Sequence, residues 1–179
     1  MSGGDGMKKY MKYIGLMLAA ALVCGCSAQT EATVNNYAEK LGIDVSAGDY
    51  EEVVDTHGGF HGDGVTFAYI TFSDDSLAGE IEEAEGWNAL PMDENVTALI
   101  YGVTKVEGNS VYSNGPYITS GDGQPLIPRV ENGWYYFADR QSEGNIHDSS
   151  QVLERASINC TVAVYDSDNE KLYYLELDT

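Results

Sequence analysis

The sequence predicts an α+β domain: a mainly antiparallel β-sheet with one or two covering helices, preceded by a signal peptide. Three observations predict it. Several segments alternate apolar and polar residues with the period of two expected of a half-buried strand. Strand-like runs come first, a helical pattern follows and strands return, the order of an antiparallel sheet with helices packed on one face. From Met7 to residue 25 the composition is that of an export signal and not of a folded element.

Taken in order, residues 50–56 can form a first strand, and residues 65–72 (VTFAYITF) are rich in the β-branched and aromatic side chains that favour strands. Residues 133–139 carry Trp134, Tyr135, Tyr136 and Phe137 and form another. The Asn132-Gly133 pair ahead of them has the chemistry of a tight turn, which predicts a hairpin with residues 125–130. Residues 157–165 and 171–177 both alternate and are joined by the polar run Asp166-Ser167-Asp168-Asn169. One helix follows Ser73-Asp74-Asp75, whose oxygens and charge suit a helix start. Leu77, Ile81 and Ala84 then share a face, and Gly86 ends it. Trp87, Leu90 and Pro91 form an apolar connection expected to pack onto the sheet. Periodicity leaves residues 93–101 open between helix and strand. A short helical turn over residues 37–41 is expected to stop at Gly42.

Upstream of this domain, Met7 begins an export signal, with Met1–Gly6 an upstream start or a cloning remnant. Lys8, Lys9 and Lys12 form a positive segment, and the apolar run 14–23 is shorter than the roughly 20 residues a membrane span needs. It ends in Val23-Cys24-Gly25-Cys26-Ser27, which resembles the lipobox of bacterial lipoproteins. Cys24 competes less well than Cys26, because Leu22 and Val23 would then stand where small residues are wanted. The resemblance implies cleavage before Cys26, a diacylglyceryl group on its thiol and anchorage at the outer face of the cytoplasmic membrane. Residues 26–36 then form a lipid-anchored tether, and 37–179 a single domain. Three stretches of the body, residues 55–64 (DTHGGFHGDG), Asp139-Arg140 and residues 173–177 (YYLEL), resemble uncharacterised exported proteins of clostridial-type gut bacteria. That likeness implies export and carries no activity.

Cleavage after residue 25 leaves 6 Lys+Arg against 28 Asp+Glu, a net charge of −22. Such a charge repels nucleic acid and anionic lipid, and it favours cationic partners: a metal ion, or a protein or peptide of basic character. Beyond Cys26 the only remaining cysteine is Cys160, so no internal disulfide framework can form. Cys160 alternates with Ile158, Val162 and Val164 and reads as a small core residue.

The segment from His57 to Gly64 places His57, His61 and Asp63 within seven residues of a glycine-rich loop. Imidazoles and a carboxylate suit a divalent ion such as zinc, and His147-Asp148 can add ligands if that loop folds nearby. The plainer reading is a glycine-rich connection whose histidines are exposed or locally hydrogen-bonded. Asp166–Glu170 fails the EF-hand pattern, because Lys171 stands where its glycine belongs. No hydrolase elbow, phosphate loop or dinucleotide fingerprint is present. Tyr135, Tyr136, Tyr173 and Tyr174 form adjacent pairs on predicted strands, so each pair places one ring on each face. With one face covered, the outward ring of each pair is a candidate for surface recognition, ordinary sheet packing being the plainer reading for most of them. These features together predict a non-enzymatic binding or accessory domain. The alternative is a divalent-metal-binding protein or metal-dependent hydrolase built on His57, His61 and Asp63.

Overall fold

The computed structural model describes residues 33–58 and 62–179. The signal peptide, Cys26, residues 26–32 of the tether and His61 lie outside the described residues. Helix α1 covers residues 33–41 and is followed by β1 (Asp49–Asp55), β2 (Gly64–Thr71), α2 (Ser76–Glu83), β3 (Trp87–Ala89) and α3 (Glu94–Tyr101). Strands β4 (Val103–Glu107), β5 (Ser110–Asn114) and β6 (Gly133–Asp139) come next. A 3-10 turn (Ser149–Glu154), β7 (Asn159–Asp166) and β8 (Lys171–Asp178) complete the chain.

Six strands form one antiparallel sheet in the order β1-β2-β8-β7-β6-β3, and β4 and β5 form a separate two-stranded ribbon. The architecture is α+β, as the alternation predicts. The sheet is covered on both faces, however, not on one. On the first face Ala68, Ile70, Ala163, Tyr165, Leu172 and Tyr174 pack against Tyr37 and Leu41 of α1 and Leu77 and Ile81 of α2. On the second, Phe67, Phe137, Cys160, Val162, Val164 and Leu175 pack against Val96, Leu99 and Ile100 of α3, with Ile118 and Ile127 from the following loop. Burying two faces lets strands β6 and β7 be nearly continuous in apolar residues while still alternating in direction.

The helix ends follow their side chains. Asp93 accepts the amides of Asn95 (2.9 Å) and Val96 (3.0 Å), which starts α3 and resolves residues 93–101 as a helix. At α2 the N-cap is Asp75, which makes no side-chain capping bond; Asp74, one residue earlier, accepts the Ser76 amide at 3.1 Å in a local turn ahead of the helix. Gly42, at φ 67°, lets the chain leave α1 as its amide bonds the Ala38 carbonyl.

Two local expectations are corrected. Residues 125–130 do not pair with β6. The neighbours of β6 are β7 and the short strand β3, so the apolar connection after Gly86 is itself an edge strand. Asn132-Gly133 instead clasps the β7–β8 turn. The Asn132 carbonyl accepts the Ser167 amide at 3.2 Å, and its side-chain amide donates to Asp168 at 2.8 Å. Gly133 is held at φ 135° with its Cα so near the Tyr165 carbonyl that a Cβ would lie 1.9 Å from that oxygen. The 125–130 segment crosses α3, where Ile127 is buried and the Tyr101 hydroxyl donates to the Pro128 carbonyl at 2.7 Å.

Candidate functional site

At one end of the first sheet face the apolar side chains give way to charge. Thr66, Glu176 and Thr161 are register neighbours on β2, β8 and β7, and alternation places all three on the face of Tyr174. Arg140, just beyond β6, reaches over them. Its guanidinium donates to Thr161 Oγ1 at 2.6 Å, to the Leu177 carbonyl at 3.3 Å and to the Asp178 carboxylate, and it lies 3.5 Å from Glu176 Oε1. Lys40 of α1 pairs with the same Glu176 oxygen.

His57, which follows β1, closes the cluster. Its Nε2 is 3.0 Å from Asp178 Oδ2. Its Nδ1 is 3.1 Å from Asp55 Oδ1 and 3.0 Å from Thr66 Oγ1. The result is a connected series: the ion-paired Lys40, Glu176, Arg140 and Asp178, continued through the His57 ring to Asp55. Glu176 is the most buried ionic member, its side chain 14% exposed, and it has two cations. The His57 amide bonding to Asp55 is the main cause holding that carboxyl below the usual carboxylate range. Beneath the cluster the Tyr37 and Tyr174 rings stack at 3.9 Å between centroids, and burial pushes both phenols well above their ordinary pKa.

The predicted metal loop is thus divided. His57 turns to Asp55, Thr66 and Asp178 and not to Asp63, which is exposed. His61 lies outside the described residues. His147 is engaged elsewhere: its Nδ1 donates to the Phe137 carbonyl at 2.8 Å and its ring sits edge-on to Tyr136. Among the described residues no group of three or more His, Cys, Asp or Glu is arranged to hold a metal ion. The His57 cluster is a charge-paired lattice that ties α1, β1, β6 and β8 together at one sheet end. Both ring nitrogens of His57 already have protein partners, so proton transfer or ligation through them would require breaking those bonds.

The tyrosine pairs alternate as expected, with Tyr136 and Tyr174 on the first face and Tyr135 and Tyr173 on the second. Because both faces are covered, Tyr135, Tyr136 and Tyr174 are buried and only Tyr173 is partly open. The expected recognition surface of outward rings is therefore corrected to core packing. Cys160 is fully buried on the second face, and its burial pushes the thiol up to about 12.

Exposed apolar side chains concentrate elsewhere. Among the described residues Val106 (70% exposed), Val111 (65%) and Tyr112 (57%) lead the exposed large hydrophobics, and all three lie on the β4–β5 ribbon. Between that ribbon and α3 runs a cleft of about 210 Å³. A broader one of about 350 Å³ lies between α3 and the 128–131 loop, where Arg129 sits 4.7 Å above the Tyr101 ring. The ribbon's local signal in the sequence is the Gly108-Asn109 turn pair flanked by the strand-favouring Val103, Thr104, Val106, Val111 and Tyr112.

The six described cations are all engaged within the protein. Lys40, Lys105, Arg140 and Arg155 pair with carboxylates, and Arg129 and Lys171 lie over tyrosine rings. The described residues hold 27 Asp+Glu, so most of the negative charge has no internal counter-charge. No helix among the described residues is long and apolar enough to cross a membrane. No protein-family model matches the chain, and neither a curated protein nor a solved structure matches it.

Proposed function

We propose that this chain is a lipid-anchored binding or accessory domain at the outer face of the cytoplasmic membrane, with no catalysis of its own and with a protein or peptide of basic character as its partner. The observation that carries the reading is the charge distribution. All six described cations already have an internal anion or ring, while the carboxylates outnumber them more than fourfold. Such a surface attracts cationic partners over several ångströms and repels anionic lipid, so the anchor supplies membrane attachment and the domain stays off the headgroups. The lipobox-like Val23–Ser27 segment supplies the anchor, two acyl chains on Cys26 being enough for stable attachment.

The test has two arms. Cys26→Ala is expected to abolish labelling by a fatty-acid probe and to move the protein from the membrane fraction to precursor or medium. Continued labelling overturns the anchor. Envelope proteins captured at low salt are expected to fall away as ionic strength rises past the physiological range, where the screening length is about 8 Å and shortening. Equal capture at high salt overturns the electrostatic partner.

A further inference from the structure

We propose that the β4–β5 ribbon is a docking arm, and that the free edge of β5 takes up an extended basic segment of a partner protein as an added strand. This deepens the proposed function and rests on its basic partner.

The ribbon's own hydrogen bonding fixes which groups are free. Its turn is the two-residue Gly108-Asn109, with Gly108 at φ 62° as the first position of a type II′ turn requires. The pair closing such a turn, Glu107 and Ser110, exchanges hydrogen bonds, and the pairs alternate from there. Lys105–Tyr112 and Val103–Asn114 are then bonded pairs. The amides and carbonyls of Val111 and Ser113 point away from β4 along an edge that no strand of the larger sheet covers. All five residues of β5 are exposed. Native proteins blunt a free edge with charge or proline, yet β5 (SVYSN) has neither. A two-stranded ribbon is marginal by itself, so a third strand gains ladder bonds at little cost in reorganisation.

The ribbon's two faces specify what that strand carries. One shows the cross-strand pair Val106–Val111, open to solvent. The other shows Lys105, Tyr112 and Glu107 and, with Glu94 and Asn95 of α3, borders the 210 Å³ cleft. Lys105 is the only cation on the arm and is already paired with Glu94, while Glu107 at the turn has no cation. An added strand that alternates apolar and basic residues therefore lays its apolar side chains beside Val111. Its cations then lie on the face of Tyr112, the side that borders the cleft with Glu94. A second copy of this chain fits poorly, because it would bring a described net charge of −21 against the same charge.

The probe is a fluorescent nonapeptide alternating lysine and valine, titrated into the full chain at low salt. Its control is the same peptide with alternate backbone amides methylated, which keeps the charge but cannot pair as a strand. The unmodified peptide is expected to bind and the methylated one to bind about tenfold more weakly, the equivalent of a lost hydrogen bond or two. Val111→Pro removes one outward amide and leaves the ribbon's inward bonds intact, and a similar weakening is expected there. Because that variant could disturb the turn, amide exchange on the unaltered chain gives a second reading. Bound peptide is expected to slow exchange at Val111 and Ser113 and to leave the already bonded Tyr112 amide unchanged. Equal binding of the two peptides, with no protection at Val111 and Ser113, overturns the strand site while leaving a diffuse basic-partner surface intact. No binding of either peptide at low salt overturns both. Concentration-dependent dimerisation through the same edge would identify a second copy as occupant and also overturn the proposal.

Discussion

The docking of α1 onto the sheet makes a prediction that can be worked from two hydrogen bonds. A helix leaves its last carbonyls without helical partners, and in α1 two of them are taken by side chains from the sheet. The Tyr136 hydroxyl donates to the Lys40 carbonyl at 2.9 Å, and Trp87 Nε1 donates to the Leu41 carbonyl at 3.0 Å. Tyr136 is 5% exposed, so little water can replace its hydroxyl once it is gone. Tyr136→Phe keeps the ring contacts with Trp87 (5.6 Å) and His147 (5.3 Å) and deletes one buried bond. The expected cost is about 1 to 2 kcal/mol, the net bond plus the desolvated carbonyl left behind. Trp87→Phe deletes the other bond and some packing, for a similar cost. Because the two rings touch, the double variant should depart from additivity. Urea unfolding followed through Trp134 fluorescence gives the global cost. Amide exchange across residues 38–42 shows whether α1 opens by itself, since a locally held helix frays before the sheet unfolds. A Tyr136→Phe protein within about 0.5 kcal/mol of the parent, with unchanged exchange in α1, would refute the reasoning. On the proposed anchor, Cys26 lies seven residues before α1, at most about 25 Å of extended chain. This docking then joins the anchor to the sheet.

Two further perturbations test the sheet itself. Gly133→Ala sets a Cβ 1.9 Å from the Tyr165 carbonyl at φ 135°, so it should cost about 2 kcal/mol or more in urea unfolding; an unchanged midpoint would show that β6 meets the β7–β8 turn differently. Raising pH should destabilise the fold through Cys160, whose thiol burial lifts from 9.0 to about 12. A group with a raised folded pKa contributes fully below its unfolded value and loses that contribution as pH climbs to the folded one. The loss should therefore start near pH 9 and amount to roughly 4 kcal/mol by pH ~12. Tyr101, also lifted to about 12, acts in the same sense from its own ordinary value near 10. Cys160→Ala should show a shallower decline between pH ~9 and ~11 in the same assay, and an identical decline would remove the thiol from the account.

Alternation made most of the sheet legible. It placed Cys160 with Val162 and Val164, and it set Tyr135 against Tyr136 across the sheet, because a strand's side-chain direction is a local property. It could not say that both directions are buried. That depends on α3, Ile118 and Ile127 folding back over the second face from up to about 80 residues away in sequence, a contact no local pattern encodes. The tyrosines pack in the sheet for this reason: a ring pointing away from one core points into another. Asn132-Gly133 failed by the same logic, since the turn chemistry was real but its partner was the β7–β8 turn, more than 30 residues downstream. The charged cluster was half legible. Glu176 and Asp178 share the parity of Leu172 and Tyr174, so two carboxylates stand in line with buried residues. A carboxylate in such a place needs a cation, and beyond the signal segment the chain has only six. Arg140, set off from β6 by one residue with the parity of Tyr136 and Ala138, is one that alternation aims at the same face. Lys40 arrives only because α1 docks above Tyr174, through tertiary packing. His57 then completes the series as a bridge between two acids, which is the arrangement an imidazole takes when its neighbours are carboxylates held by strand register and not ligands gathered around an ion.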